Sequence, residues 1–222
     1  MTNHSLLKSS TIMAVGTIVS RITGLVRGLL LVAVLGTTLL GDTFNVANTM
    51  PNILYNLIIG GALTAVFVPQ IVRATSDEDG GSAFISRLVT ATFVFLAGLV
   101  LVAILLAPVL VRIFATSYIG RPEFEVTTLF MRYCLPQILF MGLFALLGQV
   151  ANAKGKFGPM MWAPVLNNLI AIAVFGWFLK YSTQPTVTTI PKSEIIWISL
   201  GCTVGYMAQA LILIPSISKT NI

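Results

Sequence analysis

Two arginines, Arg21 and Arg27, stand inside an apolar stretch that runs from about residue 10 to residue 36. A guanidinium keeps its charge when desolvated and forms paired hydrogen bonds to phosphate oxygens. At the centre of a membrane-spanning helix such a group costs at least about 2.5–3.5 kcal/mol on insertion scales. If the helix begins near Ser10, Arg21 lies about 16 Å along it, near the bilayer centre, and Arg27 one to two turns further. Charges at that depth require a water-filled cavity, an anionic ligand or acidic partners. The alternative is a helix that starts later, with both side chains snorkelling to the inner headgroups. Residues 25–36 would then be too short to span.

A second polar set follows. Asn45, Asn48, Asn52 and Asn56 recur at spacings of three and four, along one helix face, and Gly60 and Thr64 continue the line. Pro51 interrupts this helix midway and favours a kink. A polar stripe with a break at membrane depth reads as a helix lining a hydrated path, or as interhelical hydrogen bonding. Asp42 precedes it and could serve as its N-cap. Arg132, Pro136 and Gln137 fall in one later apolar stretch, and Pro164, Asn167 and Asn168 in another. Gln149 and Gln209 read as packing hydrogen bonds. His4, the only histidine, sits in the polar N-terminal tail without the partners an acid–base or metal site needs, and no Ser-His-Asp set is read. The acidic residues lie in loops and at helix ends, and no phosphate-binding GxxxxGK[ST] loop occurs. These features predict neither an enzyme nor a metal or cofactor site.

The elements that carry these residues follow from composition. Of 222 residues, 56% are apolar and 9% charged, and mean hydropathy is +0.94. A soluble globular protein has about 25% charged residues. The net charge of +6 comes from 13 scattered basic residues that form no basic face, which argues against nucleic-acid binding. Cys134 and Cys202 lie in apolar stretches, as small hydrophobes. The chain therefore reads as an all-α integral membrane protein. Six spans are expected, at about 10–36, 43–72, 84–113, 126–151, 159–178 and 195–214. They form a single transmembrane domain over residues 1–222, with short loops and no room for a soluble domain. In the first span, Gly16, Ser20, Gly24 and Gly28 form a small-residue stripe that lets another helix approach closely. With the N-terminus inside, Lys8, Arg73, Arg87, Lys154, Lys156 and Lys219 are cytoplasmic, whereas Arg112, Arg121, Lys180 and Lys192 lie outside. That bias favours both termini in the cytoplasm.

The stretch VSRITGLVRGLLLVAVLG, followed by GDTFNVANTMPNILYNLIIGGALTAVFVPQ, resembles the N-terminal signature of the MurJ/MviN flippases. The later GQVANAKGKFGPMMWAPVLNNL resembles that family's fourth and fifth helices. The resemblance implies one six-helix lobe of a two-lobe flippase of the multidrug/oligosaccharidyl-lipid/polysaccharide exporter superfamily. It further implies a bacterial cytoplasmic membrane location. The implied substrate is lipid II, the undecaprenyl-pyrophosphate-linked peptidoglycan precursor, moved from the inner to the outer leaflet for cell-wall synthesis. Arg21 and Arg27 match the family's two first-helix arginines, whose implied task is to bind the pyrophosphate in a central cavity. Asp42 matches an acidic position, and Asn52 and Asn56 complete the expected substrate-binding set.

The chain departs from the family pattern at Gly28, where an acidic residue is common, and at Tyr55 and Asn56, where arginines are common. Ile59, Gly60 and Gly61 stand where Ala-Glu-Gly is frequent. The expected partners are membrane lipids and a second lobe, supplied by a homodimer or by a separate chain. Two alternatives remain at this level: a non-transporting interaction subunit or truncated fragment, and an exporter of another substrate in the same superfamily.

Overall fold

The computed structural model describes residues 3–36, 38–58, 68–74, 81–182 and 185–218. Gly60, Thr64 and the acidic run Asp77, Glu78 and Asp79 lie outside them, as do the side chains of His4 and Lys8. The described chain is helical: α1 (Asn3–Leu35), α2 (Leu39–Ile58), α3 (Val68–Ala74), α4 (Ser82–Leu105), α5 (Ala107–Phe114), α6 (Pro122–Cys134), α7 (Gln137–Ala153), α8 (Gly158–Tyr181), α9 (Lys192–Leu211) and α10 (Ile214–Ser218). A 3₁₀ turn, Thr116–Tyr118, links α5 to α6.

Proline accounts for the main differences from the expected spans. The span expected over 84–113 is divided at Leu106, where Pro108 opens α5. The span expected over 126–151 starts earlier, at Pro122, and is divided at Leu135 and Pro136. Proline cannot donate to the preceding turn and its ring crowds the carbonyl four residues back, so helices restart there. Pro51 and Pro164, by contrast, lie inside continuous helices. The span expected over 10–36 gains two turns at its N-terminus, and that expected over 195–214 ends at Leu211 before the short α10.

Five described stretches are long and apolar enough to cross a membrane: Thr11–Leu35, Ser82–Leu105, Pro122–Ala153, Gly158–Tyr181 and Lys192–Ile217. The 20 described residues of α2 include Asp42 and four asparagines, which lower its hydropathy. It still packs lengthwise on α6 and α7 as the sixth long helix of the bundle.

The centre of the molecule is α9, which touches α6, α7 and α8. On one flank α8 carries α1; on the other, α6 and α7 carry α2 and α7 carries α4. Phe44 of α2 meets Phe130 of α6 edge-on at 5.3 Å and Phe175 of α8 at 6.2 Å. All three rings are fully buried, so they join the two flanks through one apolar core. Only 11% of the spanning window of α1 is buried, against 56% for Pro122–Ala153. α1 is thus a peripheral helix held along one side.

Candidate functional site

α1 is attached to α8 through the small residues of its stripe. A Cβ at Gly16 would stand 3.0 Å from Nε1 of Trp162, and one at Gly24 would stand 3.5 Å from the Asn168 amide. Between them the Asn168 side-chain amide donates to the Ser20 carbonyl and to the Thr23 hydroxyl, both at 3.1 Å. The close approach therefore lets a buried polar side chain reach helix backbone. The stripe ends there, because nothing lies within 4 Å of a Cβ placed at Gly28.

This docking sets the positions of the two arginines. At about 100° per residue, Arg27 falls about 20° from Ser20, towards the bundle, and Arg21 about 100° away. Arg21 is accordingly exposed and Arg27 half-buried. Within the span Thr11–Leu35, Arg21 lies about 15 Å from one end and Arg27 about 12 Å from the other. Among the described residues neither makes a hydrogen bond or an ion pair. Arg27 lies within electrostatic reach of Cys134 on α6 and Cys202 on α9. Both cysteines are free and buried.

The asparagines of α2 divide into two groups. Asn45, Asn52 and Asn56 are exposed, with the Asn56 amide donating to Oδ1 of Asn52 at 3.0 Å and the Thr49 hydroxyl reaching Oδ1 of Asn45 at 3.4 Å. Asn48 sits about 60° round the helix. Its Oδ1 accepts from the Gln137 amide at 3.2 Å and from the Cys134 thiol at 3.9 Å. The single stripe read from the sequence thus joins a packing contact to an exposed face. Asp42 does not cap α2, because the helix begins at Leu39; the Asp42 backbone N–H already donates to the Thr38 carbonyl at 3.1 Å. Its exposed carboxylate lies in the first turn, where the helix dipole favours it.

The five expected site residues therefore do not form one contact cluster. Arg21 and Arg27 lie on α1, the hydrogen-bonded Asn52 and Asn56 on α2, and Asp42 at the end where those helices join. α1 and α2 touch little. α1 packs on α8 and α2 on α6 and α7, while α9 touches α6, α7 and α8. Gln137 is fully buried and its Oε1 has no hydrogen-bond partner. A cationic group without an ion pair can hold an anion through charge-assisted hydrogen bonds.

Other polar residues serve the scaffold. The Asn167 amide donates to Oε1 of Gln209 at 2.9 Å, joining α8 to α9, and the Thr203 hydroxyl donates to the Tyr133 carbonyl at 2.7 Å. Arg132 is exposed in the last turn of α6, where a cation suits the helix dipole. Sequence reasoning missed the burial of Glu123 at the start of α6. A glutamate in a first helical turn carries no pattern that distinguishes an exposed carboxylate from a buried one.

Comparison with known proteins gives consistent relatives. The family model described as lipid II flippase MurJ matches residues 31–222. The chain is 28% identical over 195 residues to a probable lipid II flippase MurJ of Rickettsia prowazekii, covering 84% of this chain and 38% of that protein. It is 28% identical over 228 residues to the Vibrio cholerae protein of the same description, covering 98% of this chain and 42% of that protein. A solved structure described as lipid II flippase MurJ in an inward closed conformation superposes with a TM-score of 0.73 at 22% identity, covering 95% of this chain and 42% of that one. The chain thus spans about two fifths of the length of the relatives it matches.

Proposed function

Since the chain belongs to the lipid II flippase MurJ family, we propose that it forms one lobe of a transporter that moves lipid II across the bacterial cytoplasmic membrane. It is a multi-pass bacterial membrane protein. The observation that carries the reading is the pair of arginines in the span of α1, neither with an ion-pair or hydrogen-bond partner among the described residues. Such charges are retained at membrane depth where they meet a ligand or a hydrated path. A pyrophosphate supplies two adjacent anionic groups, suited to two guanidinium forks.

In this reading Arg27, on the bundle side, takes the first phosphate, and the exposed Arg21 captures it from the open side of α1. Asn52 and Asn56 line the opposite wall and offer neutral hydrogen bonds to the head group. Asp42 stands at the far mouth. The open face of α1 receives a second lobe, from a second copy or a separate chain, and membrane lipids cover the outer flanks. Rocking of the lobes about the loaded site then exposes the pyrophosphate to the other side, with no covalent step. Both termini lie in the cytoplasm.

Complementation tests this reading. The chain is expressed in bacteria depleted of their own lipid II flippase, with and without a C-terminal lobe, and membrane levels are matched by blotting. Rescue by the native sequence and loss in Arg21→Ala/Arg27→Ala is the expected result. Equal rescue by that double variant would overturn the pyrophosphate role.

A further inference from the structure

A cavity of about 520 Å³ opens where α1 meets α2, between residues 33–36 and 38–40, the start of α6 and residues 185–188. Neither arginine lines it. Among the described residues that line it, the polar ones are Thr38, Thr186, Thr188 and Glu123, all oxygen donors, and Glu123 is the only ionisable one. Glu123 is 9% exposed, and its Oε2 is shielded from solvent with no hydrogen-bond partner. One turn further along the same face of α6, the fully buried Thr127 hydroxyl is also unpartnered.

A carboxylate oxygen shielded from water without a hydrogen-bond partner can be satisfied by a coordinated cation. The N-terminus of α6 supplies a favourable dipole, but no donor reaches Oε2. Among the described residues Glu123 forms no ion pair. The nearby Arg112 guanidinium lies instead over the Phe124 ring, 5.9 Å from its centre. The negative field is nonetheless felt locally: burial, then Asp42 and Glu123, push the Tyr118 phenol up from its ordinary value.

We propose that Glu123, with the Thr127 hydroxyl one turn further along α6, binds a small monovalent cation of sodium size that enters through this cavity. Hard cations take oxygen ligands, and the number of carboxylates sets the charge they balance. One buried carboxylate with neutral hydroxyls suits a single positive charge. The site is separate from the arginines and independent of the pyrophosphate reading.

The test uses the full chain in lipid nanodiscs, with its thermal midpoint followed in NaCl and in choline chloride at equal ionic strength. A cation that binds only the folded state raises the midpoint with concentration. Sodium is expected to raise it, and Glu123→Gln to abolish the rise. Thr127→Val, which retains the carboxylate, is expected to increase the sodium concentration for half-effect by at least about threefold. If Glu123→Gln does not fold, the Thr127→Val shift decides. No sodium-specific rise in the native chain, an equal rise in Glu123→Gln, or an unmoved half-effect in Thr127→Val overturns the site.

Discussion

Arg27 and Arg21 carry the same charge six positions apart, yet the helix turns them about 120° away from each other. Arg27 lies on the bundle side of α1 and is half-buried; Arg21 is exposed. They are therefore expected to differ in how geometry matters. Lysine keeps the charge but loses the planar fork. Arg27→Lys should leave markedly reduced complementation, whereas Arg21→Lys should stay close to native, both read at equal membrane levels. Full rescue by Arg27→Lys would show that charge alone suffices at the buried position. Both arginines were legible in the sequence, because a cation inside an apolar run is rare. Their unequal burial was not, since it depends on which side of α1 meets α8. Asn48 and Asn52 illustrate the same limit. Their spacing places them on one helix, but only the position of α6 and α7 turns Asn48 inward to Gln137.

At the scale of the element, the attachment of α1 depends on one side chain. Asn168 donates to both Ser20 and Thr23 across a contact narrow enough for Gly16 and Gly24. Interhelical hydrogen bonds of this kind average about 0.6 kcal/mol in membranes and reach about 1.7 kcal/mol. Asn168→Leu removes two of them and adds bulk opposite Gly24. It is expected to destabilise the chain by about 1–2 kcal/mol, seen as a lower thermal midpoint in nanodiscs and faster proteolysis at the α1 end. An unchanged midpoint would place the strength of the contact in the Gly16–Trp162 packing instead. The stripe at spacing four announced a packing face in the sequence; its partner, well over a hundred residues away, could not be read from periodicity. The breaks at Pro108 and Pro136 were written in the residues themselves, but Pro51 and Pro164 show that proline alone does not decide between a break and a continuous helix.

For the whole molecule, composition settles the fold class, since a chain this apolar must bury its backbone in helices or a closed barrel. The arrangement about α9 comes instead from tertiary contacts that hydropathy does not encode. Orientation is also a property of the whole chain. Thr188 lies at the end where α1 meets α2, and Lys154 lies between α7 and α8. With both termini inside, Thr188→Cys should react with a membrane-impermeant maleimide added to intact cells, and Lys154→Cys only after permeabilisation. The two native thiols are buried and should stay silent. The reverse pattern would invert the proposed topology.

The one-sided attachment of α1 also has a consequence in time. The amide that anchors it, in Asn168, lies 148 residues after Ser20. At about 5–20 residues per second, a ribosome needs about 7–30 s to make the intervening chain. Throughout that interval α1 has been synthesised but its docking partner has not. Until α8 arrives, the face of Gly16, Ser20 and Gly24 has no helix to pack against. Docking of α1 is thus timed by synthesis of the chain itself, and not by the rate at which two finished helices meet.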